Sequence, residues 1–236
     1  MSQRARSPRL CVAIDGPAGA GKSTVAKLVA DRMGYRYIDT GALYRAVTLA
    51  VLRAGVAPDA SEAVAAVARK VEIALRPAAG GGEPRIWLDG EDVSESLRAP
   101  EVSASVSVIA LNPAVRARLV AELQELALPG GVVMDGRDIG TVVLPDAEVK
   151  IFLTASLAER AARRQAELLE QGFAAPVEEV VRAIQERDRL DATRPIAPLV
   201  RAPDAVEIDS TGRTAADVAA EIVSLCLRRA GSCSTP

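Results

Sequence analysis

The chain has 236 residues, of which 49% are hydrophobic, 3% aromatic and 25% charged, with a formal net charge of −2 at pH 7. That length suffices for one well-buried α/β core, or a core carrying a smaller insert. The balanced charge argues against a polyanion-binding protein, the scarce aromatics leave no base-stacking platform, and the absence of histidine removes any imidazole base, nucleophile or ligand.

The chain starts basic, from Arg4 to Arg9, and only Leu10 to Ile14 are apolar before Asp15. No apolar run approaches the ~20 residues of a membrane span, so the expectation is a cytoplasmic protein with neither membrane nor nucleic-acid partners. Leu10 to Ile14 is a short buried-strand pattern. Behind it stands the run Gly16-Pro17-Ala18-Gly19-Ala20-Gly21-Lys22-Ser23, with Thr24 opening a stretch of helical period to Met33. Strand, glycine loop and helix in that order make a phosphate-cradling P-loop: the glycines let backbone N–H groups curl toward phosphate oxygens and the new helix adds its positive end. Lys22 can reach the β- and γ-phosphates, and Ser23 offers a hydroxyl to Mg²⁺.

Further strands are expected at Tyr35 to Ile38, Gly131 to Met134, Val149 to Leu153 and Ala205 to Ile208. They complete a five-stranded parallel sheet flanked by helices, an α/β fold. Helices are read from about Gly41 to Ala54, from the Asn112-Pro113 start to about Leu128, from the capping box Ser156-Leu157-Ala158-Glu159 to a break at Gly172, from Val177 to about Leu190, and from Thr214 to Arg229. Val71 to Leu75 and Arg85 to Leu88 flank Gly80-Gly81-Gly82 and read as a small inserted antiparallel element. Residues 1–8 and 231–236 read as disordered ends. Cys11, Cys226 and Cys233 are widely spaced and fit packing rather than a metal or disulfide.

Two segments put charge at the carboxyl edge of the sheet, where α/β proteins bind ligands. Asp39-Thr40-Gly41-Ala42-Leu43-Tyr44-Arg45 places an arginine in the first turns of a helix, where an acceptor phosphate could dock or where the charge is simply solvated. Asp135-Gly136-Arg137-Asp138 puts two acids and an arginine just past a strand, suited to Mg²⁺ or base recognition. Arg160, Arg163 and Arg164 share one helix face, and Arg187, Asp191 and Arg194 another. Such faces are commonly solvated, but two of them bracketing a glycine break in a P-loop protein suit a lid that lowers guanidinium groups onto phosphates.

The combination I-D-G-P-A-G-A-G-K-S, D-T-G-A-L-Y-R, E-D-V-S, D-G-R-D-I-G-T-V-V-L-P-D-A and K-I-F-L-T-A-S resembles the bacterial cytidylate kinases, over essentially Leu10 to Arg229. The resemblance implies transfer of the γ-phosphate of ATP to CMP or dCMP with Mg²⁺, in a monomer. It divides the chain into a core (about 9–39, 129–156 and 203–230), a nucleoside-monophosphate region with the insert (about 40–128) and a helical lid (about 157–195). It also implies that Gly16 to Thr24 hold ATP, that Ser23 and Asp135 meet Mg²⁺, the acid directly or through water, and that Lys22, Arg137, Arg160, Arg164, Arg187 and Arg194 act on the transferring phosphates. Arg45, Arg137 and Arg194 resemble the acceptor-phosphate clamp with Thr40 beside it. Ser107, Arg116 and Asp138 resemble the cytosine readers, and Arg187 and Asp191 the sugar contacts. Cytosine chemistry agrees, since N4 donates and needs an acceptor such as Asp138 or Ser107, while N3 needs a donor such as Arg116. A UMP, dTMP or small-alcohol kinase, and a nucleotide switch without turnover, are the alternatives. The chain carries no guanine-reading N-K-x-D.

Overall fold

The structure, a computed structural model, describes residues 9–76, 84–170 and 172–232. The chain divides into two compact units, one of residues 1–38 and 126–236 and one of residues 39–125.

The first unit is built on strands β1 (Cys11–Asp15), β2 (Arg36–Asp39), β6 (Val132–Gly136), β7 (Val149–Thr154) and β8 (Val206–Asp209), in the order β2-β6-β1-β7-β8. It is the expected five-stranded parallel sheet. The register pairs Val12 with Val133 and Val149, and Asp15 with Gly136. Val12 and Ile14 of β1 face a cluster built with α1 (Lys22–Met33) and α8 (Ala215–Ser232), through Val25, Ala26 and Val29 on one helix and Val218, Ile222 and Cys226 on the other. Ala13 and Met134, on the opposite side of the pleat, are fully buried too. That is why these strands read as continuous apolar runs rather than alternating ones.

The helices α6 (Leu157–Glu170) and α7 (Val177–Thr193) form a hairpin around Ala161, Val180 and Ile184. Gly172 follows α6 with φ of 82°, as the break in pattern predicts. The capping box at Ser156 forms only in half. Ser156 Oγ accepts from the Glu159 N–H at 3.2 Å, but the Glu159 carboxylate turns to Arg163 and the Ser156 N–H donates to Thr211 Oγ1 instead. A short π turn, Ile139–Val143, follows β6. Helix α8 continues to Ser232, so the ordered chain runs past Gly231, where the sequence reading placed a loose end. Residues 1–8 and 233–236, Cys233 included, lie outside the described residues. Cys11 is half-buried and Cys226 fully buried, and both are free thiols.

The second unit packs α2 (Thr40–Arg53) with α3 (Ser61–Lys70) and α4 (Pro100–Ile109), beside an antiparallel sheet of β3 (Ile73–Arg76), β4 (Arg85–Leu88) and β5 (Glu91–Asp92). The expected insert is therefore a three-stranded sheet. Its Gly80 to Gly82 turn lies outside the described residues. Asp89 and Gly90, both at positive φ, turn β4 into β5. Asn112 caps α5 (Pro113–Ala127), its Oδ1 accepting from the N–H groups of Ala114 and Val115, while its Nδ2 donates to the Ser61 backbone. Among the described residues no single helix is long and apolar enough to cross a membrane.

Candidate active site

Asp15 ends β1 and Gly16 begins the loop that leads into α1. A Cβ on Gly16 would stand 2.0 Å from the Leu153 carbonyl oxygen of the neighbouring strand, so the loop leaves the sheet here only because there is no side chain. The loop folds back over Lys22, whose Nζ donates to the Pro17 carbonyl at 2.8 Å. Lys22 is 6% exposed. Burial, then the nearby guanidiniums of Arg137 and Arg187, push its ammonium well below the ordinary lysine range, against the pull of Asp135 and Asp15. Cations crowded in a dry place favour losing a proton. Bound polyanion reverses that preference, which is the behaviour a phosphate site requires.

Ser23 Oγ donates to Asp135 Oδ2 at 2.9 Å, and Tyr37 Oη donates to the other oxygen of Asp135 at 2.8 Å. The fold thus joins the P-loop hydroxyl to the acid at the end of β6. This is an oxygen-donor pair of the kind Mg²⁺ uses, with one carboxylate and the remaining ligands supplied by phosphates and water. Among the described residues no group of three or more His, Cys, Asp or Glu side chains could hold a metal alone. Thr24 is exposed on the first turn of α1.

The residues read from the later motifs meet in cross-pairs. Arg137 Nε donates to Asp191 Oδ2 at 2.7 Å, and Arg194 donates to Asp138 Oδ1 at 3.2 Å and, through Nε, to the Ala197 carbonyl. Asp138, Asp191 and Arg194 are each no more than 7% exposed. Ionised groups buried this deeply are held by partners and cluster where chemistry is done. Asp15 accepts from the N–H groups of Ile139 and Gly140. Burial lifts its carboxyl to about 6 despite those two hydrogen bonds.

The arginines of α6 separate. Arg160 is buried, donating to the Ala18 carbonyl of the P-loop at 3.1 Å and to Asp188 at 2.6 Å. Arg163 also meets the loop, at the Ala20 carbonyl, and it binds Ser210. Arg164, by contrast, pairs with Glu167 one turn on, a surface pair worth little. Arg163 therefore takes the place beside the loop that the spacing equally allowed Arg164.

In the second unit Asp39 caps α2 by accepting from the Ala42 N–H, and its other oxygen takes Arg45 at 2.9 Å. Thr40 is buried beside them. Arg116 is 4% exposed, with its guanidinium 5.8 Å from the Tyr44 ring and a 3.4 Å hydrogen bond to the Ala110 carbonyl. Ser107 lies half-buried on α4, one turn before Ala110.

Residues 12–228 match the family model for cytidylate kinase. Among curated proteins the chain is 52% identical over 214 residues to the cytidylate kinase of Limosilactobacillus reuteri (strain DSM 20016), covering 90% of this chain and 93% of that one. It is 50% identical over 223 residues to the cytidylate kinase of Geobacillus thermodenitrificans, covering 94% and 99%. Among solved structures, an uncharacterized protein from Eubacterium ventriosum superposes with a TM-score of 0.51 at 11% identity, over 92% of this chain and 97% of that one. That likeness concerns the fold alone.

Proposed function

The chain belongs to the cytidylate kinase family, and from that premise we propose that it transfers the γ-phosphate of ATP to CMP or dCMP, with ADP as the second product. The observation that carries this reading is the burial of Lys22 together with its crowding by Arg137 and Arg187, which depress the lysine ammonium and which triphosphate and monophosphate charges would offset. An oxygen of the CMP phosphate is already anionic, so no base is needed. It bonds to the γ-phosphorus as the bridge from that phosphorus to the β-phosphate oxygen breaks, and ADP departs with the electron pair. The protein's part is to overcome the repulsion between two phosphorylated substrates. Guanidinium groups placed on the transferring group are worth about 10³ to 10⁵ in rate in related chemistry.

In this reading Gly16 to Thr24 cradle ATP, and Lys22 follows the charge that builds on the β–γ bridge. Ser23 and Asp135 would hold Mg²⁺, which when bound neutralises the β- and γ-phosphates. Arg45, Arg137 and Arg194 clamp the CMP phosphate beside Thr40, while Arg187 and Asp191 meet the sugar. Ser107, Arg116 and Asp138 read the base. Arg160 and Arg164, with Arg163, belong to a lid of about 157–195, set on a core of about 9–39, 129–156 and 203–230, with the monophosphate region at about 40–128. The enzyme works as a cytoplasmic monomer.

The deciding experiment is ADP release from MgATP with CMP, dCMP, UMP and dTMP in turn. CMP and dCMP should exceed the others in kcat/KM; equal or greater efficiency with UMP would overturn the specificity.

A further inference from the structure

Asp15 is given no contact with a phosphate above and acts on Lys22 only through its charge, yet it is enclosed to 5% exposure. Both of its oxygens are engaged, Oδ1 by the Ile139 N–H at 2.7 Å and Oδ2 by the Gly140 N–H at 2.8 Å. Short bonds from consecutive backbone donors thus hold the carboxylate by one lone pair on each oxygen. The donors open the π turn Ile139–Val143, and residues in such turns often mark functional sites.

The residue before those donors is Asp138. Its carbonyl accepts from the N–H groups of Val142 and Val143 at 2.9 and 3.1 Å. The peptide chain leaving Asp138 is therefore held twice, by closure of the turn on its carbonyl and by Asp15 on the two N–H groups that follow. Helix N-termini use a capping side chain from the same segment for this purpose. Here the cap arrives from β1, 124 residues away in sequence. Position 140 has little room to spare, since a Cβ there would press on the Lys150 side chain at 3.2 Å and come into ordinary contact with Asp15 Oδ2 at 3.4 Å.

We infer that Asp15 is a positioning residue for nucleobase selectivity: it fixes the backbone from which the Asp138 carboxylate, bonded to Arg194, is presented. The inference rests on the reading of Asp138 as a cytosine contact. Asp15 and Gly16 are adjacent, so the same carboxylate also links the start of the P-loop to the base reader, and a merely structural role would disturb ATP and CMP alike.

The test measures KM for ATP, KM for CMP and the CMP-over-UMP ratio of kcat/KM for Asp15→Asn, Asp138→Asn and the double variant. Asparagine keeps the volume of Asp15 but turns an NH₂ toward a backbone N–H, leaving two donors face to face. Asp15→Asn should raise KM for CMP and lower the CMP-over-UMP ratio, each by roughly tenfold, with KM for ATP within about threefold of the wild type. Added to Asp138→Asn it should change the ratio little further, since both act through one contact. Gly140→Ala, which leaves the carboxylate in place and pushes the turn against the Lys150 side chain, should move the ratio in the same direction and stands in if Asp15→Asn does not fold. A normal ratio in Asp15→Asn, or in Gly140→Ala where it stands in, alongside a reduced one in Asp138→Asn overturns the inference and leaves the reading of Asp138 intact. A normal ratio in Asp138→Asn overturns both. Equal losses for ATP and CMP assign Asp15 to P-loop integrity and overturn the inference alone.

Discussion

Lys22 is buried among cations, and that environment makes it costly in the free protein and useful in the complex. Its ammonium is destabilised by burial, Arg137 and Arg187, a cost that phosphate charges would relieve. Lys22→Ala should reduce kcat by at least about a hundredfold while leaving thermal stability equal or higher, because the substitution also removes repulsion. Near-normal kcat would exclude the role. Asp138 is tested differently, since as a carboxylate it only accepts hydrogen bonds and uracil O4 in the place of cytosine N4 would leave two acceptors opposed. Asp138→Asn supplies a donor, and the CMP preference over UMP should fall by about 1 to 3 kcal/mol. Loss of activity on both nucleotides with altered Mg²⁺ dependence would reassign Asp138 to the metal. Residues of these kinds were legible because each lies in a contiguous motif. Asp15 and Tyr37 carried no role in the sequence reading, and Arg163 was only one of three arginines on a helix face, not told apart from Arg164. Tyr37 meets Asp135 across 98 residues and Asp15 meets Ile139 across 124, contacts created by strand order, which no local pattern encodes.

Elements were read best where their termini carried chemistry. The Asn112-Pro113 start of α5 appears where the cap and the N1 proline put it. Asn112 is 7% exposed and does two things, capping α5 through Oδ1 and tying down the Ser61 backbone through Nδ2. Asn112→Ala should therefore cost about 2 kcal/mol, and Asn112→Asp, which keeps the acceptor and loses the donor, roughly half of that, read as a drop in denaturation midpoint at constant m-value. Identical losses would mean that the cap contributes nothing. Helices α3 and α4 escaped the sequence reading. In α4 the alternation of valine and serine from Val102 to Val108 has the period of a strand, but Val102, Val106 and Ile109 are the buried positions and follow a helical period. Packing against α2 decides the matter over local propensity. Strand β5 had a signal that went unread, the Asp89-Gly90 turn, which is among the strongest short hairpin markers.

At the scale of the whole molecule, the alternating pattern of strands and helices was enough for the parallel sheet and its buried character, while the strand order β2-β6-β1-β7-β8 was not written in any local window. That order encloses Asp15 and gives the protein a stability term that depends on pH. Burial lifts the Asp15 carboxyl from 3.8 to about 6, so between those values the folded chain keeps a proton that the unfolded chain releases. The contribution is fully present below 3.8 and disappears as pH rises through about 6. From pH 7 to pH 5 the wild type should thus gain about 1.4 kcal/mol that Asp15→Asn, with nothing to titrate there, cannot gain. The titrating groups distant from Asp15 are common to both proteins and cancel in the difference, while Asp138 and Lys22, which act on its carboxyl, do so in opposite directions. For a chain of this length that energy corresponds to about 3 to 5 °C, so the wild-type Tm minus the variant Tm should grow by that amount on acidification. A difference that stays constant would mean that the Asp15 carboxyl is not raised, its hydrogen bonds from Ile139 and Gly140 balancing or outweighing its burial.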